Sequence, residues 1–217
     1  MTPEAYDAWY RTPRGAWIGA TEYALARREL AAPRGATLLD VGCGTGWFTR
    51  RFAADGLVAT GLDPNPEWLG YARAHSAPDL RWVDGDAQHL PFADNSFDYV
   101  ASIAALCFIP EERQALAEIV RVARRRFVIG WLNRASLLYR HKRGQGAYRG
   151  ASWHTMDEVR TLFAGLPVAK LRLSSAVFFP GGGVPAQFAA RLLPSKLPLG
   201  ALLFAAGCHP RGRPVLL

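Results

Sequence analysis

Residues Leu38 to Phe48 read Leu-Leu-Asp-Val-Gly-Cys-Gly-Thr-Gly-Trp-Phe, and this stretch decides the fold. An apolar run ends in an acid, Asp40, and glycines follow at the alternate positions 42, 44 and 46. The residues after the glycines have the apolar spacing of a helix. Glycine tolerates positive φ and has no Cβ, so a ligand can approach the backbone of such a turn closely. The stretch therefore predicts a buried strand, a tight ligand-binding turn and a helix start.

The spacing of the glycines separates two classes of nucleotide-binding loop. In a dinucleotide-binding fingerprint, a third glycine stands three residues after the second, and the pyrophosphate lies at the helix N-terminus. Trp47 occupies that position here, and the third glycine comes two residues after Gly44 instead. The loop therefore argues against a nicotinamide dinucleotide and against a dehydrogenase.

Strand-like and helix-like segments alternate along the chain, which is typical of parallel crossover units in a doubly wound sheet covered by helices on both faces. This alternation predicts an α/β, Rossmann-like, three-layer fold. We expect strands at 36–41, 57–63, 80–83, 97–103, 126–131, 168–178 and 199–206. We expect helices at 17–31, 45–54, 64–75, 111–123 and 156–164. No internal repeat or linker divides the sequence, so we expect a single domain over residues 1–217.

Acidic residues stand at the ends of the predicted strands, where open α/β sheets bind their ligands. Asp63 ends the second strand about 20 residues after the glycine loop, the position from which an acid holds two ribose hydroxyls. Asp86 follows the third strand. A carboxylate beside a free backbone N–H matches the amino donor and ring acceptor on the edge of adenine. Each aspartate alone is also typical of a helix cap or a turn, but their order and spacing after the glycine loop favour an adenosine ligand.

These segments resemble the small-molecule class I S-adenosylmethionine (SAM) methyltransferases of the ubiquinone/menaquinone-biosynthesis-like, type 11 group. The resemblance is carried by residues 40–46, 61–64, 85–92 and 96–100 and is specific over residues 36–130. It implies a seven-stranded sheet in the order 3-2-1-4-5-7-6, with strand 7 antiparallel. It also implies SAM as the cofactor, S-adenosylhomocysteine (SAH) as the product and methyl transfer by in-line displacement.

The resemblance also implies roles for individual residues of the cofactor site. Gly42 and Gly44 match positions under the methionine part of SAM, and Asp63 matches the residue that holds the ribose. The remaining matches flank adenine (Leu62, Pro64), read its edge (Asp86, Ala87) or face the methyl donor after strand 4 (Ser102, Ile103). The predicted cofactor residues are Tyr10, Asp40, Gly42, Cys43, Gly44, Leu62, Asp63, Pro64, Asp86, Ala87, Ser102 and Ile103.

Tyr10 is one of several aromatic residues that crowd the N-terminus, with Tyr6, Trp9 and Trp17. Such a stripe is often core packing. In the resembled family, the N-terminal segment often covers the SAM pocket, and an aromatic ring there could contact the cationic sulfonium. We therefore predict that residues 1–31 form a helical cover and that 132–150 and 179–198 are substrate-side insertions.

Charge and composition limit the classes of molecule that this protein is expected to bind. The net charge is +8, and the densest basic cluster is Arg134, Arg140, His141, Lys142, Arg143 and Arg149, read either as a solvated loop or as a lid over an anionic substrate. Three cysteines lie far apart, at 43, 107 and 208, without metal-ligand or disulfide spacing. We expect a cytoplasmic protein, a monomer or homodimer, with no membrane span and no metal.

The acceptor and the catalytic residues are less well defined by sequence. We expect a small-molecule acceptor, and the weak candidates for a general base are His154, His141 and Tyr148. An RNA or tRNA methyltransferase is an alternative, but residues 101–104 read Ala-Ser-Ile-Ala and lack the Asn/Asp-Pro-Pro-aromatic motif typical of base methylation. A SAM-binding module without transfer activity is the second alternative.

Overall fold

The computed structural model describes residues 1–179, 181, 183, 187–188, 190 and 192–210. The strands are β1 (Thr37–Val41), β2 (Val58–Asp63), β3 (Arg81–Asp84), β4 (Phe97–Ile103), β5 (Ala123–Leu132), β6 (Ala169–Ala176) and β7 (Leu202–Cys208). The helices are α1 (Pro3–Trp9), α2 (Pro13–Leu30), α3 (Trp47–Ala54), α4 (Pro66–Ala74), α5 (Glu112–Val122), α6 (Leu137–Lys142) and α7 (Met156–Leu162). Single 3-10 turns cover Leu106–Phe108 and Gly146–Tyr148. Part of the predicted insertion 179–198 lies outside the described residues.

The strands form one seven-stranded sheet in the order β3-β2-β1-β4-β5-β7-β6. The pairs from β3 through β5 are parallel, and β7 runs antiparallel to both β5 and β6. The direction of winding reverses between β1 and β4, so the loops that follow these two strands border one crevice. The predicted fold class, strand order and direction of β7 are confirmed.

Alternate residues of the central strands supply two hydrophobic cores, one on each face of the sheet. Leu38 and Val128 belong to the core under α2 and α3, whereas Leu39 and Ile129 belong to the core under α5 and α7. Burying a large apolar side chain on either face contributes about 1.5–3 kcal/mol. None of the helices in the described ranges has the length and hydropathy needed to cross a bilayer.

Some helices begin at residues other than those predicted, because capping residues fix their first turns. The helix predicted from Trp17 begins at Pro13, because the Thr12 hydroxyl accepts a hydrogen bond from the backbone N–H of Gly15 at 3.0 Å. Proline is favoured in the first helical turn, so the Thr-Pro pair is itself a start signal. A second Thr-Pro pair starts α1, a separate helix within the predicted helical cover of residues 1–31. In α4, Pro66 occupies the first turn, so the predicted start at Pro64 was wrong.

The last two strands are displaced from their predicted ends. The strand β6 stops at Ala176 because Val177 adopts a left-handed conformation, with φ of 63°. The strand β7 begins at Leu202 rather than at residue 199. The side-chain amide of Asn133 donates hydrogen bonds to the carbonyls of Pro198 (2.9 Å) and Gly200 (2.7 Å), which fixes these residues as a loop.

Candidate functional site

The glycine loop after β1 is fixed to the neighbouring strand by its backbone. Gly42, Gly44 and Gly46 all have positive φ, at 70°, 55° and 77°. The backbone N–H groups of Gly42 and Cys43 both donate to the carbonyl of Leu62, at 2.8 and 3.0 Å. The loop therefore turns sharply at the end of β1 while staying anchored to the end of β2.

Neighbouring side chains leave no room for a Cβ at two of these glycines. A Cβ on Gly42 would lie 2.3 Å from the Cβ of Ala105, in the loop after β4, and a Cβ on Gly46 would lie 2.3 Å from Cη2 of Trp82. Together with the positive φ values, this close packing makes glycine necessary at both positions. The loop backbone is thus held in one conformation by its own surroundings.

The carboxylate of Asp63 joins the loop to the end of β2. Its Oδ2 accepts a hydrogen bond from the backbone N–H of Gly44 at 2.8 Å, and its Oδ1 accepts one from Asn65 at 3.0 Å. Burial raises the pKa of this carboxyl, and the two backbone hydrogen bonds act against that rise. Each oxygen has a second lone pair. Asp63 can therefore accept two further hydrogen bonds from a ligand.

A cavity of about 490 Å³ opens over this loop, and we call it the glycine-loop cavity. Its volume lies in the range of small-molecule sites, about 300–1,000 Å³. The predicted cofactor residues on its wall are Tyr10, Asp40, Gly42, Cys43, Gly44, Leu62, Asp63, Pro64, Asp86, Ala87 and Ile103. Ser102 is not on this wall, because it is buried within β4 and its hydroxyl donates to the carbonyl of Val41 at 2.8 Å.

Asp40 gives the floor of this cavity an acid with an unusual proton affinity. The side chain is only 2% exposed, and the hydroxyl of Thr49 donates to its Oδ2 at 2.6 Å. Burial raises the pKa of Asp40 to about 7, with a further rise from the charge of Asp63, while the Thr49 hydrogen bond lowers it. Two carboxyls on one wall favour a ligand that carries positive charge.

Asp86 and Ala87 present the donor and acceptor pair expected for a base edge. Asp86 is exposed, and its carboxylate accepts hydrogen bonds from the backbone and the side-chain amide of Gln88, both at 2.9 Å. The N–H of Ala87 donates no hydrogen bond within the described residues. A carboxylate thus stands next to a backbone donor with no other partner in that part of the chain.

The N-terminal segment lies over the glycine-loop cavity. The ring of Tyr10 is 7% exposed and stacks on Trp47, with centroids 4.2 Å apart and planes 17° apart. The ring of Tyr6 packs against Trp68 on α4 at 5.0 Å. An ion pair of 2.7 Å between Asp7 and Arg50 ties α1 to α3. Trp47, which takes the place of a glycine in the dinucleotide fingerprint, therefore supports this cover.

A second cavity, of about 390 Å³, adjoins the first, and we call it the tyrosine cavity. Three tyrosines, Tyr6, Tyr10 and Tyr148, lie on its wall together with Trp9. The residues common to the two cavities are Met1, Tyr6, Tyr10, Ala104, Phe108 and Ala147. The two spaces therefore meet at a shared wall built by the N-terminal segment, the loop after β4 and the turn before Tyr148.

Comparisons with known proteins agree with this geometry. The sequence model of a family described as a methyltransferase domain matches residues 39–128, which carry the glycine loop, Asp63 and Asp86. A malonyl-[acyl-carrier protein] O-methyltransferase of Erwinia pyrifoliae is 42% identical over 87 residues, 40% of this chain and 33% of that protein. The matched segment, residues 39–128, is a methyltransferase domain of the class I SAM-dependent type. The cofactor of this methyltransferase family is SAM.

Two further relatives extend the comparison beyond the matched segment. An uncharacterised protein of Mycobacterium tuberculosis is 38% identical to this chain over 174 residues, 74% of this chain and 56% of that protein. The solved structure of a SAM-dependent methyltransferase of Thermotoga maritima shares the fold, with a TM-score of 0.76, 20% identity and coverage of 95% of both chains. The chain spans about one third (33%) of the Erwinia protein and about half (56%) of the mycobacterial protein.

The residues around the glycine-loop cavity fit SAM on structural grounds. A Cβ on Gly44 would approach the ring of Trp68 to 3.1 Å, so the space between the loop and this ring leaves little room for a side chain at position 44. Asp63 keeps acceptor capacity for a ribose, and the acids on the cavity wall suit the positive charges of SAM. The structure thus gathers 11 of the 12 residues predicted for the cofactor around one cavity.

The three candidate bases lie at separate places in the structure. Tyr148 lines the tyrosine cavity, and burial raises the pKa of its phenol. His154 lines neither cavity; its Nε2 lies 2.8 Å from a carboxylate oxygen of Glu112, outside hydrogen-bonding alignment. His141 is exposed on α6 and also lines neither cavity. Of the three candidates, the structure brings only Tyr148 to the site.

The basic cluster is only partly a lid. Arg134 forms an ion pair with Glu158, and the guanidinium of Arg143 lies 5.5 Å from the ring centre of Tyr139. Lys142 is exposed and stands on the wall of the tyrosine cavity. Part of the cluster is therefore paired with neighbouring side chains, and part reaches the mouth of the site.

The sequence prediction missed Glu22, which lies on the wall of the tyrosine cavity. Its side chain is 6% exposed, and burial alone raises its pKa to about 8. A signal was present in the sequence, because Ile18, Glu22 and Leu25 fall on the same face of α2 at helical spacing. An acid in the middle of an apolar helix stripe is informative, since burying it is unfavourable.

Proposed function

We propose that this chain transfers the methyl group of SAM to a small-molecule acceptor. The observation that carries the proposal is the shared wall of the two cavities, where Tyr6, Tyr10, Ala104 and Phe108 line both spaces. A methyl donor in the glycine-loop cavity and an acceptor in the tyrosine cavity would meet at this wall. Holding two reactants in close and fixed approach is the main contribution that a protein makes to such a reaction.

The glycine-loop cavity supplies a group for each part of the cofactor. Gly42 and Gly44 would leave the backbone open to the methionine part, and Asp63 would accept hydrogen bonds from both ribose hydroxyls. The carboxylate of Asp86 and the N–H of Ala87 would pair with the donor and acceptor on the edge of adenine. The same loop and acids disfavour a nicotinamide dinucleotide, because the acids would repel a pyrophosphate.

Methyl transfer from SAM depends on positioning the reactants and excluding water more than on a nucleophile supplied by the protein. SAM supplies a methyl carbon already activated by a positive sulfur, so a covalent intermediate on the protein is unnecessary. The stacked pair of Tyr10 and Trp47 and the ion pair of Asp7 with Arg50 hold the N-terminal cover in place. A closed cover excludes water and strengthens the electrostatic interactions beneath it.

A small molecule is favoured over a malonyl group as the acceptor. The Erwinia relative is named for a malonyl group on a carrier protein, which is an anion. The acid on the wall of the tyrosine cavity, Glu22, is buried, and its ionised form would repel an anion there. The positive side chain on the same wall, Lys142, is exposed. The deep part of the cavity thus favours a neutral or cationic acceptor.

Calorimetry tests the cofactor assignment directly. SAM and SAH are expected to bind, and NAD is expected to give no measurable heat. Asp63→Asn should weaken the binding of SAH by about 10- to 100-fold, because it removes a charged acceptor whose hydrogen bond contributes about 1.5–3 kcal/mol. Asp79→Asn, at an exposed aspartate outside both cavities, is the matched control. Binding of NAD in place of SAM, or an unchanged affinity of Asp63→Asn, would reject the assignment.

Turnover separates an enzyme from a binding module. Incubation of the protein with SAM and a panel of small amines, phenols, thiols and carboxylates should release SAH with at least one acceptor. SAH release is measured against the rate without acceptor. Tight SAH binding with no release on any member of a broad panel would favour the SAM-binding module that lacks transfer activity.

A further inference from the structure

Glu22 stands out as a buried acid with no partner of its own. Its carboxyl makes no hydrogen bond and no ion pair with any residue in the described ranges, although its side chain is only 6% exposed. Glu22 is also the only acid among the described residues that line the tyrosine cavity. Burying an unpaired carboxyl is unfavourable by several kcal/mol in apolar surroundings. A ligand that supplies the missing partner would remove this cost.

The walls around Glu22 indicate what that ligand carries. Aromatic rings of Tyr6, Trp9, Tyr10 and Tyr148 line the same cavity. The faces of aromatic rings attract cations, and a carboxylate beside several rings is a binding arrangement for an ammonium group. A carboxylate or phosphate at this depth would be repelled by the Glu22 carboxylate and would otherwise meet apolar surface.

The charges on the cavity wall are separated by depth. Glu22 is buried, whereas Lys142 is exposed and Arg14 is partly exposed. Positive side chains therefore stand toward the solvent, and the negative one stands inside. This separation orients a ligand with its positive nitrogen inward and any neutral or anionic part at the mouth.

We propose that the methyl acceptor is an amine whose nitrogen binds Glu22 in the tyrosine cavity. The proposal rests on the function proposed above and names the substrate class for the same site. The ammonium form of the amine would pair with the carboxylate, and the aromatic walls would enclose its carbon skeleton. Glu22 is then both the anchor of the nitrogen and the acceptor of its proton.

The proton and electron balance is simple. The bound ammonium gives one proton to the Glu22 carboxylate, which leaves a neutral amine with a free electron pair. That pair forms the new nitrogen–carbon bond, while the carbon–sulfur bond of the donor breaks and its electron pair stays on sulfur. The methylated nitrogen carries the positive charge that the sulfur has lost. The pKa of Glu22, about 8, makes its ionised form a stronger base than an ordinary glutamate, and this form becomes available as the pH approaches 8.

Three probes of similar shape test the charge of the ligand. Calorimetry on the SAH-saturated protein at pH 8 compares 2-phenylethylamine, 2-phenylethanol and 3-phenylpropanoate. We expect the amine to bind about tenfold more tightly than the alcohol, and the anion to bind most weakly. Equal affinities, or tighter binding of the alcohol or of the anion, would overturn the proposal without any variant being needed.

Two glutamate-to-glutamine substitutions on α2 test the role of Glu22. Glu22→Gln keeps the shape of the side chain and should abolish the preference for the amine over the alcohol. Glu29→Gln is the matched control, because Glu29 lies on α2 outside the cavity and pairs with Arg172 at 3.0 Å. The control should keep the preference. A Glu22→Gln protein that folds and retains the preference would reject Glu22 as the anchor.

The pH dependence gives a readout independent of turnover. Amine affinity should rise by about 50-fold between pH 6 and pH 8, because the ionised fraction of the Glu22 carboxyl rises from about 1% to about one half while the amine stays charged. The other ionisable groups around it are Tyr6, Tyr10 and Tyr148, whose pKa values burial raises, and Cys107, raised to about 12. Arg14 and Lys142 are the charged residues on the same wall. An affinity that does not change from pH 6 to pH 8 would contradict the proposal.

SAH binding distinguishes failure of this inference from failure of the proposed function. If SAH binds and the three probes bind alike, the amine assignment fails and the methyltransferase assignment stands. If SAH does not bind, the proposed function fails. The probes are then titrated without SAH, and a preference for the amine that depends on Glu22 would still identify an amine-binding cavity.

Discussion

The hydroxyl groups of Tyr6 and Tyr10 are hydrogen-bonded at 3.2 Å, and both rings stand on the wall shared by the two cavities. Burial raises the pKa of Tyr6 to about 12 and raises the pKa of Tyr10 well above its ordinary value, so both phenols remain neutral near pH 7. Glu22 on α2 raises both values through its charge. The pair therefore connects the N-terminal cover to the acid in the tyrosine cavity.

The tyrosine pair should show energetic coupling. Tyr6→Phe and Tyr10→Phe each remove one hydroxyl and keep the ring, so each should lower the free energy of unfolding by about 1 kcal/mol. The double variant should lose less than the sum, by about 0.5–1.5 kcal/mol. Urea denaturation of the four proteins measures this coupling. Strict additivity would show that the two hydroxyls do not support each other.

Gly42 should be far less tolerant of substitution than another glycine with the same backbone conformation. Gly42→Ala places a Cβ 2.3 Å from Ala105 at φ of 70°, whereas Gly35→Ala at φ of 78° meets nothing within 4 Å. The free energy of unfolding of the Gly35→Ala control should fall by only about 1 kcal/mol, the cost of a Cβ in the left-handed conformation. That of Gly42→Ala should fall by about 2–4 kcal/mol. Thermal unfolding gives both values, and calorimetry should show weakened SAH binding for Gly42→Ala alone. Equal losses would refute the crowding argument.

Stability without ligand should fall as the pH rises through the titration of Glu22. Its folded pKa of about 8 lies above the ordinary 4.5, so its contribution is fully present below pH 4.5 and is lost as the pH rises to 8. The slope approaches about 1.4 kcal/mol per pH unit for one such group. Asp40, with a pKa of about 7 against an ordinary 3.8, adds a loss of the same sign at lower pH.

Glu22→Gln isolates this contribution. The variant should lack the Glu22 part of the slope, so its advantage over the wild type should grow from pH 5 to pH 8. Glu29→Gln removes the same charge from the same helix and should run parallel to the wild type. Denaturant midpoints across this range measure both differences. A constant difference between Glu22→Gln and the wild type would show that Glu22 is not desolvated.

The basic cluster should not bind RNA tightly. Arg134 is paired with Glu158, and Arg143 lies beside Tyr139. Filter binding with tRNA at several salt concentrations is expected to give only non-specific affinity, about 10⁻⁴–10⁻⁶ M near physiological salt. Submicromolar binding with a steep salt dependence, reduced by Arg140→Ala, would revive the RNA methyltransferase alternative.

Much of the fold, and the grouping of the candidate cofactor residues around one cavity, could be predicted from sequence, because both depend on local patterns. The boundaries of β4 were predicted correctly, since an apolar run between polar segments defines a buried strand. The glycine loop and Asp63 could be placed together because the ends of parallel strands meet at one edge of a sheet. The strand order came from the family resemblance rather than from the residue pattern.

Other features depended on contacts between distant segments. Ser102 was predicted near the cofactor, but its hydroxyl bonds to the carbonyl of Val41 on the neighbouring strand. His154 was a candidate base, but it lies beside Glu112 on α5. The boundaries of β7 shifted because Asn133 fixes the loop before it. Each of these outcomes is set by a partner that sequence spacing does not reveal.

The sequence by itself determined the glycine loop and the acids that surround it, and hence the predicted methyl donor. These residues could be recognised because they are close together or lie at successive strand ends. Only the tertiary structure brought Glu22, from a helix before the first strand, onto one cavity wall with Tyr148, from a turn after the fifth. That meeting depends on α2 packing against the sheet and on the N-terminal cover folding over its edge. The tyrosine cavity is made by packing between distant segments, and a linear pattern of residues does not encode their distances.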